Sequence, residues 1–405
     1  MDTLDRSTAV TDAELTGLQA DLDAAQPAFL HDLARLVNID CGSYTKAGVD
    51  EVGRWTAAFL DTTGADVARH HDDTLGDTIV GTWRGERGRP RLLLIGHMDT
   101  VFAAGTVAQR PFTIEKGIAR GPGVTDMKAG LLAGLYAVRA IRSLQGGRLP
   151  FERVTFVANP DEEIGSPVST PIIRELAGDA DACLVLECAR ANGDIVSSRK
   201  GTLDARVTVR GRAAHAGVEP EKGRSAIVEA ARIVTDFHAL NGRWPGVTLN
   251  VGVIAGGTRP NVVPETATLE VDVRAVARED LVAAEAALRQ AAAATVVPDV
   301  AVEVTEMARH WPMEKLERSG RLVDHAVALA GRLGFELHDA STGGASDANT
   351  TAGLGVPTLD GLGPVGGNDH SPDEYLEVAS IVPRTALLAG LILTIARDAG
   401  VANLR

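Results

Sequence analysis

The chain has 405 residues, of which 45% are hydrophobic and 23% are charged, and its formal net charge is −14. This composition is typical of a soluble globular protein with two or three domains. The acidic charge argues against nucleic acid and membrane surfaces as partners. The cysteines, Cys41, Cys183 and Cys188, do not form a disulfide framework. Segment 1–5 is acidic and polar and does not resemble a secretory leader, so we expect an intracellular, cytoplasmic protein.

Apolar periodicity predicts alternating helices and strands through the first half of the chain. Leucines at helical spacing indicate a helix over 12–38, which Pro27 is expected to kink or split. The segment 101–122 is predicted to be a loop. Further helices are expected at 50–63, 126–142 and 168–177, and strands at 77–83, 91–96, 153–158 and 182–186. This alternation indicates an α/β fold in which helices cover a mostly parallel or mixed sheet.

The pattern changes after residue 201. Residues 202–312 read as β-α-β-β-α-β, which is the order of a ferredoxin-like unit. From residue 313 to 405 the α/β alternation resumes and ends in a strongly apolar helix over 381–397. We therefore predict an α/β/α domain made of 1–201 and 313–405, with a second domain, 202–312, inserted into it.

Polar side chains that suit metal coordination follow several predicted strands. His97 and Asp99 come after strand 91–96, the pair Glu162 and Glu163 after strand 153–158, and Glu187 after strand 182–186. Two more candidates, Asp126 and His370, lie on segments that follow glycine-rich loops. Because open α/β sheets collect their chemistry at the carboxyl ends of strands, we expect these side chains to meet at one edge.

Each of these residues also has a simpler explanation when it is taken alone. A glutamate at a strand end is usually solvated, and Asp126 could cap the helix that follows it. The adjacent carboxylates Glu162 and Glu163, however, would raise each other's pKa if they were buried together. Divalent cations remove that cost, and histidine with carboxylate ligands suits zinc.

The arrangement we predict is a pair of ions bridged by Asp126. His97 and Glu187 complete one site, and Glu163 and His370 complete the other. Asp99 is expected to accept the second ring N–H of the liganding histidine and so to orient it. Glu162 then remains as the general base for a water molecule.

Four motifs carry a resemblance to a known family: Gly96-His97-Met98-Asp99-Thr100-Val101, the segment 121–130, Asp161-Glu162-Glu163-Ile164-Gly165, and the terminal Gly-Gly-x-Ser-Asp with His370-Ser371. Together with the inserted domain, they resemble the M20 family of metallopeptidases from about residue 20 onward. Within this family the chain is most similar to the glutamate carboxypeptidase, carboxypeptidase G2-like branch. Deacylases such as succinyl-diaminopimelate desuccinylase share the same ligands.

The resemblance implies two Zn²⁺ ions per subunit, with Co²⁺ and Mn²⁺ as alternatives, and a homodimer formed through the inserted domain, which acts as a lid. It implies that His215 reaches the partner subunit's active site and stabilises the oxyanion. Asn261, Arg274 and the backbone around Gly344 match binders of the substrate carboxylate, and Arg309 is a further candidate. The residues alone instead favour Arg274 as a strand-edge charge paired with Asp272 or Glu270.

These features predict a dinuclear zinc hydrolase that cleaves an amide or peptide bond next to a free carboxylate, with release of a C-terminal glutamate as the favoured reaction. An N-acyl-amino-acid deacylase or dipeptidase with the same machinery is the alternative. A non-catalytic binding protein on the same fold is a remote one. The expected partner is a small substrate that bears a carboxylate.

Overall fold

The computed structural model describes residues 10–398 and residue 400, so segment 1–5, on which the expected localisation partly rests, lies outside the described residues. The helices are α1 (Asp12–Val37), α2 (Lys46–Thr62), α3 (Thr106–Gln109), α4 (Ala129–Leu144), α5 (Thr170–Ala177), α6 (Ala226–His238), α7 (Arg278–Ala293), α8 (Glu317–Leu333), α9 (Asp347–Gly353) and α10 (Ile381–Arg397). The strands are β1 (Asp66–His70), β2 (Thr78–Arg84), β3 (Arg91–His97), β4 (Thr113–Glu115), β5 (Ile118–Arg120), β6 (Arg153–Asn159), β7 (Ala182–Val185), β8 (Ile195–Arg199), β9 (Gly201–Arg210), β10 (Thr248–Gly256), β11 (Thr266–Ala275), β12 (Ala301–His310), β13 (Asp339–Thr342), β14 (Thr358–Leu359), β15 (Gly366–Gly367) and β16 (Tyr375–Glu377).

The chain divides into two compact units. Unit 1 comprises Met1–Ser197, Lys315–Ser341 and Ser346–Arg405, and unit 2 comprises Ser198–Glu314 and Thr342–Ala345. The prediction assigned the loop Thr342–Ala345 to the outer domain. The loop belongs to unit 2 instead, where the carbonyl of Gly343 accepts a hydrogen bond from Arg274.

Unit 1 is built on a six-stranded sheet in the order β1-β2-β6-β3-β7-β14. Strands β6, β3, β7 and β14 run parallel, and β2 pairs antiparallel with β6. The register pairs His97 with Asn159, so the carboxyl ends of the central strands lie level with one another. Strand β3 is almost wholly buried, as its run of leucines predicts.

Helices α1, α4 and α10 supply much of the core that packs with this sheet. Helix α1 runs through Pro27 without a break, so the expected split is wrong, and Thr11 and Glu14 form a capping box at its start. Within the described residues, the segment Val378–Arg397 has the length and hydropathy of a membrane span. Because 83% of its apolar window is buried inside the protein, we interpret it as a core helix.

The start of α4 is held tightly against the end of β7. A Cβ added to Gly130 would lie 1.8 Å from the carbonyl oxygen of Leu186, so only glycine permits this approach. This contact brings the turn that precedes α4 next to the segment that follows β7. Two smaller sheets pair β13 with β8 and order β15-β16-β5-β4, which places strands inside the predicted loop 101–122.

Unit 2 is a four-stranded antiparallel sheet in the order β10-β11-β9-β12, with α6 and α7 packed on it. The first and last strands of the β-α-β-β-α-β unit are therefore neighbours in the sheet, which is the ferredoxin-like arrangement. The α/β fold with an inserted ferredoxin-like unit is confirmed. Strand β10 forms one edge of this sheet.

Candidate metal centre

The predicted ligands meet at the carboxyl edge of the unit 1 sheet. His97 is the last residue of β3, and Glu187 lies just beyond β7. Glu163 lies in the short helical turn Glu162–Ile164, which follows β6. Asp126 lies in the turn before α4 and does not cap that helix, because the N-cap position is Lys128, which makes no side-chain capping hydrogen bond.

The side chains form two groups that share one carboxylate. Nε2 of His97 lies 3.2 Å from Oδ1 of Asp126 and 3.7 Å from Oε1 of Glu187. Nε2 of His370 lies 3.1 Å from Oδ2 of Asp126 and 3.0 Å from Oε2 of Glu163. The ligand atoms of each group all lie within 4.8 Å of one another.

These distances fit two metal ions. Nitrogen and oxygen donors bind zinc at about 2.0–2.2 Å, so two donors of one tetrahedral ion lie roughly 3.3–3.6 Å apart. The separations of 3.0–3.7 Å between the histidine and carboxylate atoms are close to this value. The two oxygens of Asp126 also face different histidines, as a bridging carboxylate requires.

The electrostatics of the site indicate the same ligand class. Burial would raise the pKa of Asp126, but hydrogen bonds with His370 and His97 outweigh it and hold the pKa below its usual value. Hydrogen bonds to Asp126 and Glu163 raise the pKa of His370 to about 11. The carboxylates therefore attract positive charge strongly, and divalent cations would supply it without protonating the histidines.

His97 is oriented through its second ring nitrogen. Nδ1 donates to the main-chain carbonyl of Asp99 at 3.0 Å, whereas the carboxylate oxygen Oδ1 of Asp99 lies 3.4 Å away. The nearest acceptor is thus the carbonyl, where the sequence predicted the carboxylate. This bond directs Nδ1 away from the site, so that Nε2 faces the other ligands.

The carboxylate of Asp99 holds the segment that carries the two glutamates. Its oxygens accept hydrogen bonds from the backbone N–H groups of Glu162 and Glu163, each at 3.2 Å, and from Oγ of Ser43 at 2.6 Å. Asp99 is fully buried. It therefore positions both the proposed base and a ligand, a broader role than orienting His97.

Glu162 lies beside the two groups without belonging to either. Burial raises the pKa of Glu162 well above its usual range, and the charge of Glu187 raises it further. Burial likewise raises the pKa of Glu163, although hydrogen bonding to His370 opposes the rise. A carboxyl group with a raised pKa next to a metal site suits proton transfer near neutral pH.

Glu374 is a residue that the sequence analysis missed. It is 1% exposed, and its carboxylate accepts hydrogen bonds from the backbone N–H groups of Gly123 at 2.9 Å, Thr125 at 2.9 Å and Asp126 at 3.1 Å. It thereby fixes the turn that presents the shared carboxylate. A carboxylate four residues after the histidine in His370-Ser-Pro-Asp-Glu374 was the available signal.

The loop that carries His370 is built for close approach. Asn368 and His370 both have left-handed backbones, with φ of 57° and 61°. A Cβ on Gly366 would lie 2.0 Å from Oγ1 of Thr125, so the glycine allows the loop to lie directly on the Asp126 turn. This packing places His370, the most exposed of the predicted ligands, next to the buried ones.

The residues that the family resemblance implicates in substrate binding lie in unit 2. His215 pairs with Val262 as an isolated bridge, and the carbonyl of Asn261 accepts a hydrogen bond from Ala216 at 3.0 Å. The structure therefore brings the segments of His215 and Asn261 together. Both residues are exposed.

Arg274 and Gly344 form a second subset in unit 2. Nε of Arg274 lies 3.0 Å from Asp272, and NH1 donates to the carbonyl of Gly343 at 2.9 Å. NH1 of Arg199 donates to the carbonyl of Gly344 at 3.1 Å. The pairing with Asp272 is the one that the residues alone suggested, and the contact with Gly343 joins Arg274 to the glycine loop.

Arg309 is engaged elsewhere in unit 2. Its guanidinium forms ion pairs with Glu306, at 2.7 Å, and with Glu285, and it lies 4.9 Å from the ring centroid of Trp311. These contacts separate it from the Arg274 subset, since its donors already face local carboxylates.

Comparison with known proteins identifies the family. The profile of peptidase family M20/M25/M40 matches residues 93–394. The chain belongs to this family. It is 34% identical to carboxypeptidase G2 of Pseudomonas sp. (strain RS-16) over 376 residues, which are 91% of this chain and 89% of that protein. The protein is therefore a metal-dependent hydrolase, and the predicted membership is confirmed.

More distant relatives share the same architecture. The chain is 27% identical to succinyl-diaminopimelate desuccinylase of Delftia acidovorans over 314 residues, which are 73% of this chain and 79% of that enzyme. The crystal structure of aminopeptidase PepT from Bacillus cereus ATCC 10987 is similar with a TM-score of 0.74 at 25% identity, covering 92% of this chain and 99% of that one. The predicted fold class is confirmed over nearly the whole chain.

Proposed function

We propose that this protein hydrolyses an amide or peptide bond next to a free carboxylate and releases a C-terminal glutamate or a similar amino acid. The observation that carries the proposal is the pair of histidine–carboxylate groups that share Asp126, with Glu162 beside them. The 34% identity with a protein named carboxypeptidase G2 favours the carboxypeptidase reaction.

We assign two zinc ions to the site. His97 and Glu187 would hold one ion, Glu163 and His370 the other, and Asp126 both. When bound, such ions polarise the scissile carbonyl and make a water molecule more acidic. Cobalt and manganese are the alternative ions for this mixed nitrogen and oxygen donor set.

Glu162 acts as the general base in this proposal. Its carboxylate takes a proton from the attacking water and returns it to the leaving nitrogen of the amide. Burial and, after it, the charge of Glu187 raise the pKa of Glu162 above its usual range, which favours delivery of the proton to the leaving nitrogen. Asp99 keeps the base in place through the backbone N–H of Glu162.

Recognition of the substrate carboxylate is assigned to unit 2. Arg274 offers a guanidinium fork, Asn261 an amide and the loop at Gly344 its backbone, which together suit a carboxylate. His215 is assigned to the oxyanion that forms at the scissile carbonyl. Arg309 is assigned to the stability of unit 2, since it already pairs with Glu285 and Glu306.

A homodimer through unit 2 is the expected assembly. Strand β10 is a free sheet edge within the described residues, and Val253 and Ile254 on it are 49% and 54% exposed. Val228 on α6 is also 54% exposed. An apolar edge strand of this kind is satisfied by pairing with a second copy. Ile254→Lys is expected to halve the mass in sedimentation experiments, and an unchanged mass would contradict this interface.

A deacylase or dipeptidase reaction is the second candidate. It is favoured by the 27% identity with a desuccinylase and by the likeness to a solved aminopeptidase. These reactions need the same ions and the same base, and they differ in the acyl group that the site accepts. We also propose a cytoplasmic location, since the cysteines Cys41, Cys183 and Cys188 are all free and buried.

A metal analysis combined with a substrate screen tests the proposal. The purified protein should bind about two zinc ions per chain and should hydrolyse N-acyl-glutamates, with folates, dipeptides and N-acetyl amino acids as comparison substrates. Chelation should abolish the activity, and zinc or cobalt should restore it. Fewer than one bound ion per chain, with no activity after addition of either metal, would overturn the proposed enzyme.

A further inference from the structure

The segment between β6 and α5 carries both Glu162 and Glu163, yet it contains little regular structure. Among the described residues, no hydrogen bond reaches the carboxylate of Glu162, while its backbone N–H is bonded to Asp99. The position of the base is therefore set by the backbone of this segment rather than by a partner of its side chain. Interactions that fix the backbone of this segment therefore also fix the position of the Glu162 carboxylate.

Asp347 holds Asn159 and Ser166, the first and last residues of the stretch 159–166 that contains both glutamates. One carboxylate oxygen accepts a hydrogen bond from Oγ of Ser166 at 2.6 Å, and the other accepts one from the side-chain amide of Asn159. Asn159 is the last residue of β6, and Ser166 lies just beyond the turn that carries the glutamates. Asp347 itself is only 4% exposed and is the first residue of α9.

The segment is also tied to itself. The backbone N–H of Ser166 donates to the carbonyl of Asp161 at 2.8 Å, and Ser166 has a left-handed backbone with φ of 54°. The buried carboxylate of Asp161 accepts from Oγ of Ser169 at 2.6 Å. Ser166 therefore closes the turn, and its hydroxyl connects that closed turn to α9.

We propose that Asp347 is a positioning residue that sets the place of Glu162 and Glu163 by holding Asn159 and Ser166. This inference rests on the proposed function, in which Glu162 is the base and Glu163 a ligand. Displacement of a reacting group by about 1 Å can cost about 100-fold in rate. Removal of a residue that supports a metal ligand typically weakens metal binding by about 10- to 100-fold.

The chain offers a matched control for Asp347. Asp360 is fully buried and accepts hydrogen bonds from Oγ of Ser346 at 2.8 Å and from the backbone N–H of Gly361 at 2.6 Å. Both of these partners, Ser346 and Gly361, lie outside segment 159–166. Asp347→Asn and Asp360→Asn thus make the same chemical change on either side of Ser346.

The experiment compares these variants in zinc-loaded protein with an N-acyl-glutamate substrate. Asp347→Asn should lower kcat by about 10- to 100-fold with KM within about threefold, and should weaken zinc binding measured by chelator competition by about tenfold. Ser166→Ala leaves Asp347 in place and should change both quantities in the same direction. Asp360→Asn should leave both within about threefold of wild type.

A double variant separates positioning from general damage. In a Glu162→Gln background, Asp347→Asn should lower the residual kcat of the zinc-loaded protein by less than about twofold, because the base is already lost and the loading with zinc keeps Glu163 on its ion. Equal losses in Asp347→Asn and Asp360→Asn, full additivity with Glu162→Gln, or a wild-type kcat and zinc affinity in Ser166→Ala would overturn the role of Asp347. A fully active Glu162→Gln variant would instead overturn the proposed base.

Discussion

The metal-binding region of unit 1 and the proposed carboxylate-binding region of unit 2 differ in how their charged side chains are arranged. In unit 1, Asp126, Glu163 and Glu187 lie buried or half-buried together around His97 and His370. In unit 2, Arg274 and Arg309 each have a carboxylate partner on their own sheet or helix. The first region concentrates carboxylates whose charge bound cations would balance, whereas each of these arginines in the second region already has a carboxylate partner.

This difference determines how specifically a sequence pattern predicts a binding site in each region. Carboxylates that are grouped and buried together are costly, so their presence points to bound cations. An arginine on a strand costs little free energy, because a neighbouring aspartate can pair with its guanidinium group. The motif for the metal site is therefore physically specific, while the arginines of unit 2 need experiments that separate binding from stability.

The largest expected effect comes from removing the proposed base. Glu162→Gln should lower kcat by about 10²- to 10⁴-fold, because general acid–base catalysis contributes on that scale. Zinc content measured by elemental analysis should remain unchanged, since Glu162 belongs to neither ligand group. Glu175→Gln, on the exposed surface of α5, is the control and should keep wild-type activity. Loss of zinc in Glu162→Gln would make this residue a ligand instead.

Variants of Arg274 and Arg309 test which of these two arginines binds the substrate carboxylate and which one stabilises unit 2. Arg274→Ala should raise KM for carboxylate-bearing substrates by about 10- to 100-fold, and lysine at this position should recover only part of the loss because it cannot donate as a fork. Arg309→Ala should keep KM within about threefold and should lower Tm, since Glu285 and Glu306 lose their partner. A larger KM effect at Arg309 would restore it as the carboxylate ligand.

The support behind the shared carboxylate gives a smaller effect. Glu374→Gln replaces an acceptor with an amide that opposes the N–H groups of Gly123, Thr125 and Asp126. Zinc affinity should fall by about 10- to 100-fold in chelator competition, with kcat of the fully loaded enzyme changed less. Glu377→Gln, three residues further along at the end of β16, should bind zinc normally. Equal affinities for the two variants would contradict this role.

The smallest effect concerns stability remote from the site. The hydrogen bond from Arg397 lowers the pKa of Glu14 from its usual 4.5 to about 2. Because the folded-state pKa is depressed, the contribution is full above pH 4.5 and is lost as the pH falls towards 2. Glu14→Gln should cost about 1 kcal/mol at pH 7, or about 2 °C in Tm, with the difference shrinking at pH 3. A difference that persists at pH 3 would point to the helix cap instead.

Much of the fold follows from local patterns. The helically spaced leucines of α1, the buried run of β3 and the β-α-β-β-α-β order of unit 2 identify their elements directly. Short strands such as β4 and β5 were missed, because three exposed or mixed residues carry no periodicity. These strands gain their structure from pairing with each other and, for β5, with β16. Pro27 does not break α1, since the helix is held by core contacts on both sides of it.

The sequence by itself determined the chemical class of the site, because histidines and carboxylates at strand ends suit divalent cations and few other ligands. Only the tertiary structure decided which groups support them. Asp99 reaches Glu162 across 63 positions, Glu374 reaches Asp126 across 248, and Asp347 reaches Asn159 across 188. Hydrogen bonds of this kind depend on how strands and loops pack, and no local pattern in the chain encodes that packing.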